Sequence, residues 1–350
     1  MKKIIKIHNK IIGDSLPVFI VAELSANHLQ KFDLALKTLE AMKEAGADAV
    51  KLQTYTPDTI TIDSDNEHFR IKQGTLWDGK ILYQLYQEAY TPWDWHSKLF
   101  DFAKELGLIC FSSPFDKTAV DFLEELNTPA YKVASFEITD IPLIEYIASK
   151  GKPIIISTGI ATLSDIVEAV NACKRMGNDQ IILLKCVSLY PTPFEDANLR
   201  TILNMRETFN VPVGLSDHTM GISVPIASVA LGAVMIEKHF ILDRAIGGPD
   251  SAFSLEPEEF KAMVRAVREV EKALGEIKYE LTENQIKSRE FSRSLFAVKD
   301  IKAGETFTEE NIKSIRPGYG LHPKYLRDII GKKARKNIEK GTPLSWDMIE

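Results

Sequence analysis

Eight short runs rich in β-branched residues recur between residues 18 and 240, each separated from the next by a longer segment of helical period. No other feature of this 350-residue chain restricts its fold so tightly. The runs are VFIVAE (18–23), AVKLQ (49–53), LICFSS (108–113), YKVAS (131–135), PIIIST (153–158), IILLKC (181–186), VPVGLS (211–216) and AVMIEKHF (233–240). Between them lie amphipathic segments such as FDLALKTLEAMKEAG, TPWDWHSKLFDFAKELG and LSDIVEAVNACKRMG, each closing on a glycine where a helix C-cap places one. This alternation requires a parallel sheet, and eight strands predict an α/β fold, a (β/α)8 TIM barrel over residues 1–275. An open doubly wound sheet is the other solution, but no GxGxxG follows the first strand.

The chain changes character after the barrel. Residues 276–290 are polar and read as a linker, and residues 291–350 alternate short strands with turns such as Lys302-Ala303-Gly304-Glu305 and KGTP, the pattern of a small β-rich module. Charge divides in the same place. Residues 291–350 hold 12 Lys and Arg against 8 Asp and Glu, whereas the first 290 hold 31 against 41. The basic residues of the module are scattered among turns, with no aromatic pattern beside them, which argues against nucleic acid and for closure over an anionic ligand or docking on an acidic partner.

The connection from Thr54 to Thr91 is too long for an ordinary strand-to-helix loop and carries Tyr55, Phe69, Trp77, Tyr83 and Tyr86, which suits a lid or a partner surface. At 45% hydrophobic and 26% charged residues the chain is not disordered. Lys2, Lys3, Lys6, His8 and Lys10 interrupt the apolar start, so no signal core is expected. No stretch approaches the roughly 18 apolar residues of a membrane span. Cys110, Cys173 and Cys186 are read as buried thiols in a reducing compartment, hence a cytoplasmic protein.

A barrel carries its chemistry at the C-terminal ends of its strands. Polar residues collect there on seven of the eight runs: Glu23; Lys51 with Gln53; Ser112 and Ser113; Lys132, Ser135 and Glu137; Lys185, Ser188 and Tyr190; Ser216, Asp217 and His218; Glu237, Lys238 and His239. One such residue is ordinarily a helix cap. Seven ends together indicate a site. His218 and His239 end consecutive strands, which are neighbours in a barrel, so both imidazoles can reach one point over the mouth. Two protein ligands suit a divalent ion completed by water and substrate oxygens, such as manganese, cobalt or magnesium, better than a three-ligand catalytic zinc. Asp217 and Glu237 are candidate further ligands or orienters, and His28, just past the first strand, is a candidate support for Glu23. His8, His68, His96 and His322 have no convergent partners.

Lys51 and Lys132 face the mouth with Ser113, Ser135, Ser188 and Ser216. A buried lysine is costly unless paired. Either each meets a carboxylate, or together they hold a polyanion such as a phosphate with an adjacent carboxylate. No GxSxG elbow supports acyl transfer.

The stretches AELSANH, KLQTYTPD, CFSSPFD, AYKVASFE, KPIIISTG, YPTP, GLSDHT, IEKHF, GGPDS, RSLFA and RPGYG, in this order, resemble the sialic acid synthase family. ELSANH, FSSPF, KVASFE and the GTLWDGK…LYQLY insertion are most similar to its pseudaminic acid branch. The resemblance implies a barrel followed by a small antifreeze-like (SAF) domain, a domain-swapped homodimer, and a metal-dependent condensation of phosphoenolpyruvate with an amino sugar. Metal ligands then fall on His218 and His239, and phosphoenolpyruvate contacts on Lys51, Ser113, Lys132, Ser135, Ser188 and Ser216. Sugar contacts fall on Gln53, Glu137, Tyr190 and Asp250, with Arg316 supplied by the other subunit. The water that adds is implied to be guided by Glu23 as proton acceptor or by metal-bound hydroxide, and the metal is expected to polarise the sugar aldehyde as a Lewis acid. Ser113, Ser188 and Phe136 depart from the N-acetylneuraminate branch beside the ligands, which bears on the sugar more than on the reaction. A neuraminate or legionaminate synthase, a metal-dependent aldolase and a non-catalytic sugar-binding protein are the alternatives.

Overall fold

The structure is a computed structural model that describes residues 3–72 and 74–350. The chain divides into two compact units, Met1–Gly275 and Glu276–Glu350.

The first unit opens with a hairpin, β1 (Ile5–Ile7) paired antiparallel with β2 (Lys10–Ile12). Eight parallel strands follow: β3 (Phe19–Glu23), β4 (Ala49–Thr54), β5 (Ile109–Pro114), β6 (Tyr131–Val133), β7 (Ile154–Ser157), β8 (Ile181–Lys185), β9 (Val213–Asp217) and β10 (Met235–His239). They close into a barrel in chain order, with β10 pairing back onto β3. Side chains alternate between the barrel interior and the helical shell because strand residues have period two. Phe19, Val21, Ala49, Phe111, Ala130, Ile155, Ile182, Leu184 and Met235 form one interior cluster with Ile5, Ile7 and Ile12, so the hairpin belongs to the same core as the lower barrel. Continuing the alternation up each strand brings Glu23, Lys51, Ser113, Lys132, Ser157, Ser216, Glu237 and His239 to the interior at the C-terminal end.

The outward faces of the strands pack under amphipathic helices. Phe32–Glu44 lays Ala35, Leu39 and Met42 on the sheet, and Leu163–Arg175 lays Ile166, Ala169, Val170 and Cys173 there. The second of these starts on a capping box, with Thr162 accepting from the Asp165 N–H and Asp165 accepting from the Thr162 N–H. The connection from Thr54 to Thr91 is not an open loop: it holds short helices Pro57–Ile60 and Leu82–Ala89, and Tyr55 is buried against Phe115 and Tyr86. Among the described residues no helix is long and apolar enough to cross a membrane.

In the second unit β11 (Ser294–Ala297) pairs antiparallel with β12 (Ile312–Ile315). Its core includes Leu295, Ile301, Phe307, Ile312, Ile329, Ile338 and Leu344. Gly304 takes a φ of +81° in the Lys302–Glu305 turn, a backbone conformation that favours glycine. Residues 276–290 include a helix, Glu283–Ser288, capped by Thr282.

Candidate active site at the barrel mouth

Register sets the neighbours at the mouth. His239 is paired with Glu23, Glu23 with Lys51, and Gln53 with Ser113. The ion pairs follow from that proximity. The Lys51 ammonium lies 2.9 Å from Glu23 and 3.0 Å from Glu237, and all three side chains are buried. Glu237 also accepts from Ser216 at 3.1 Å, and Lys132 stands 3.9 Å from it. Burial alone would drive the Lys51 pKa down and the Glu237 pKa up, but the opposite charges outweigh it, raising Lys51 and lowering Glu237. Glu23 behaves differently. Burial, reinforced by repulsion from Glu237, pushes its carboxyl up to about 7 against the pull of Lys51.

Lys132 is the less satisfied cation. Among the described residues it donates one hydrogen bond, to the Val133 carbonyl at 3.1 Å, and burial lowers it to about 8, partly offset by Glu237. Around this end of the site hydroxyls gather. Ser188 donates to Ser135 at 2.8 Å, while the buried hydroxyls of Ser113 and Ser157 have no hydrogen-bond partner among the described residues. Gly159 keeps the Ser135–Ser188 pair in place by having no side chain, since a Cβ there would meet Ser188 Oγ at 2.3 Å and Ser135 Oγ at 2.5 Å. Lys132 and the serines therefore retain unused donors, which is what an anion requires. Both sequence alternatives for the lysines coexist: Lys51 gives two of its three donors to carboxylates, and Lys132 stands only at 3.9 Å from one.

The other half of the mouth is aromatic. The His218 and His239 rings meet edge-on, at 61° between planes with centroids 5.4 Å apart, and Phe253 packs on His239 at 4.9 Å. Tyr190 lies 4.4 Å from His218 and 5.1 Å from Phe253. His218 Nδ1 is 2.9 Å from the Val187 carbonyl, which leaves Nε2 as the lone-pair nitrogen in the neutral tautomer that donates there. His239 Nδ1 is buried with no hydrogen-bond partner and stands 3.9 Å from Asp250, and burial holds its pKa well below the usual histidine range. Against its burial, the nearby Cys186 thiol and the Val187 carbonyl raise the His218 pKa, so the two rings differ in charge preference, but each keeps a ring nitrogen unspent on protein, which suits a divalent cation; no group of three or more His, Cys, Asp or Glu poised for a metal occurs among the described residues. Between the two halves, Gln53 donates to Glu23 at 2.9 Å and to Ser25 at 3.0 Å, and the Ser25 hydroxyl donates to Asp250. Glu137 is raised to about 7 by burial.

Three sequence expectations are corrected. Asp217 does not point to the histidines: it lies on the outer face of β9, where it accepts from the fully buried Lys238 ammonium and from the Thr219 N–H and hydroxyl. Glu237 is committed to Lys51 and Ser216 and is no orienter of the imidazoles. His28 does not support Glu23; its Nε2 meets Thr91 Oγ1 at 3.1 Å and its ring packs on Trp95. His96 is a core residue bonded to Thr54. Arg316 lies in the second unit. Sequence reasoning missed Ser25, Ser157, Gly159 and Phe253. Ser157 was accessible, since it shares a strand face with Ile155.

Comparison with known proteins agrees with this architecture. The NeuB family model matches residues 38–279 and the SAF domain model residues 292–350. A pseudaminic acid synthase from Campylobacter jejuni is 54% identical over 93% of this chain and 95% of its own length. Another, from Helicobacter pylori, is 52% identical over 95% and 98%. The crystal structure of an N-acetylneuraminic acid synthetase from Leptospira borgpetersenii, solved with citrate, superposes with a TM-score of 0.74 at 32% identity, covering 82% of this chain and 95% of that one. The division into a barrel followed by a SAF unit thus has its counterpart in sequence, and the chain belongs to the NeuB family of sialic acid synthases.

Proposed function

We propose that this enzyme condenses phosphoenolpyruvate with 2,4-diacetamido-2,4,6-trideoxy-L-altrose, the reaction of a pseudaminic acid synthase. The observation that carries the reading is Lys132, a buried ammonium with donors unspent, 3.9 Å from the Glu237 carboxylate that also accepts from the Ser216 hydroxyl. Lys51, Lys132, Ser113, Ser135, Ser188 and Ser216 bind the phosphate and carboxylate of phosphoenolpyruvate. Gln53, Glu137, Tyr190 and Asp250 orient the sugar. His218 and His239 would hold a divalent ion, manganese, cobalt or magnesium. When bound, such an ion supplies Lewis-acid polarisation of the acceptor carbonyl.

Carbon C3 of phosphoenolpyruvate attacks C1 of the open-chain sugar, and positive charge develops at C2. Glu23 takes a proton from the water that adds to C2. Phosphate then leaves with its bridging oxygen, giving the 2-keto acid. Water, enol phosphate and aldehyde thereby balance against nonulosonic acid and inorganic phosphate.

A second copy of the chain completes the site in this reading, its SAF unit covering the mouth and supplying Arg316. Support comes from Phe136, Ile160, Leu189, Phe194, Met220 and Ile246, exposed apolar residues that follow β6 to β10 around the rim. The three free, buried cysteines fit a reducing, cytoplasmic setting. The test is phosphate release from phosphoenolpyruvate with the pseudaminate, legionaminate and neuraminate precursor sugars in parallel, with and without a chelator. Release is expected fastest with the altrose-configured 6-deoxy sugar and abolished by chelation. Equal or greater turnover with another acceptor overturns the sugar assignment, and no release with any of them overturns the reaction.

A further inference from the structure

The segment just before Leu82–Ala89 is a built turn. Arg70 and Ile81 form an antiparallel bridge, the Ile71 N–H donates to the Lys80 carbonyl at 3.0 Å, and Ile71 itself is buried. Inside this closure the Asp78 carboxylate accepts from the N–H groups of Gly74 and Thr75, at 2.9 and 2.8 Å. Local hydrogen bonds of this kind fix a turn in one shape without a packed core. What the turn presents is Trp77.

Trp77 makes two contacts, each with a segment that carries a residue of the sugar side of the mouth. Its ring packs on Tyr190 at 5.6 Å between centroids, and Tyr190 in turn packs on His218 and Phe253. Its indole N–H donates to the Pro249 carbonyl at 3.0 Å. Pro249 directly precedes Asp250, which accepts from Ser25 and stands 3.9 Å from His239. The backbone just before it has little stiffness of its own: Gly247 and Gly248 follow each other with φ of +78° and +120°. Holding Asp250 at a fixed point therefore needs an anchor from outside the segment. Among the described residues Trp77 makes no hydrogen bond to Lys51, Lys132 or the serines of the anion end, which it meets only through Tyr190, a hydrogen-bond partner of Ser188.

We propose that Trp77 is a positioning residue for the acceptor half of the site, setting Tyr190 through its ring and Asp250 through its N–H, and making no direct bond to the groups that hold the enol phosphate. The proposal rests on the functional reading above. It also has a consequence independent of turnover. Trp77→Phe keeps a ring against Tyr190 and removes the hydrogen bond to Pro249, whereas Trp77→Ala removes both.

The test combines amide hydrogen exchange with steady-state kinetics on the full-length protein. In Trp77→Phe, exchange of residues 250–254 is expected at least tenfold faster than in the wild type, with the barrel strands unchanged. In Trp77→Ala, kcat/KM for the acceptor sugar is expected to fall at least tenfold while KM for phosphoenolpyruvate stays within twofold, and Trp77→Phe falls between. Unchanged exchange overturns the anchor. A parallel loss toward both substrates, or no loss toward the sugar, overturns the acceptor-specific role. If the wild type turned over no acceptor, the functional reading would fail, while the exchange result would still decide whether Trp77 anchors the 249–250 segment.

Discussion

At the level of single residues, the site separates two buried carboxylates that share one lysine. Glu237 is kept ionised by Lys51 and Lys132, whereas burial pushes Glu23 up to about 7. Glu23 can accept a proton only when ionised, so its working form is lost as pH falls below about 7. The wild-type rate is expected to decline with unit slope on that acid limb. Glu23→Gln is expected to lose about 10²- to 10⁴-fold in kcat and the acid limb with it. A pH–rate profile of the variant that keeps both would remove Glu23 from proton transfer. Most of these residues were legible because polar strand ends stand out against β-branched runs. Asp217 was misread because it precedes His218 in sequence, yet period two sends its side chain to the opposite face, with Lys238.

At the level of elements, β9 and β10 are tied together outside the barrel as well as inside. Lys238 is fully buried and bonded to Asp217 and to the Thr219 carbonyl, which fixes the turn immediately after His218. Lys238→Met leaves Asp217 buried without its counter-charge and is expected to cost about 3–5 kcal/mol in urea denaturation, whereas adding Asp217→Asn should recover part of the loss. Equal stability of single variant and wild type would show that the pair is not a structural tie. The eight strands were readable because each is a dense apolar run. The hairpin β1–β2 was not. Its strands are three residues each and interspersed with Lys6 and Lys10, so its apolar side shows only against the barrel core it joins. The Thr54–Thr91 connection likewise hid two short helices, whose few turns give too little periodicity to separate from a loop.

For the molecule as a whole, two core histidines make stability depend on acid. Burial lowers both His28 and His96 from 6.5 to about 4. An unfolded chain protonates them near 6.5 and the folded chain only near 4, so the stability they favour is present above about 6.5 and drains away as pH falls toward 4. On this linkage each accounts for a loss on the order of 3 kcal/mol between those limits. His96→Gln is expected to flatten the dependence over that window, measured by denaturation at stepped pH. An unflattened curve would assign the acid sensitivity to other groups. A second, β-rich unit after about residue 275 was legible from composition and charge, while its SAF identity was implied by resemblance. Assembly of the site across two copies was implied only by resemblance, because residues that meet across subunits leave no periodic trace in one chain.

The central claim is that the barrel mouth joins carbon C3 of phosphoenolpyruvate to the sugar and expels phosphate by breaking the C–O bond. It is tested most directly by phosphoenolpyruvate carrying 18O in its bridging position, followed by 31P NMR of the phosphate released. All of the label is expected in inorganic phosphate. Label retained in the sugar acid would mean cleavage at phosphorus and would contradict the account.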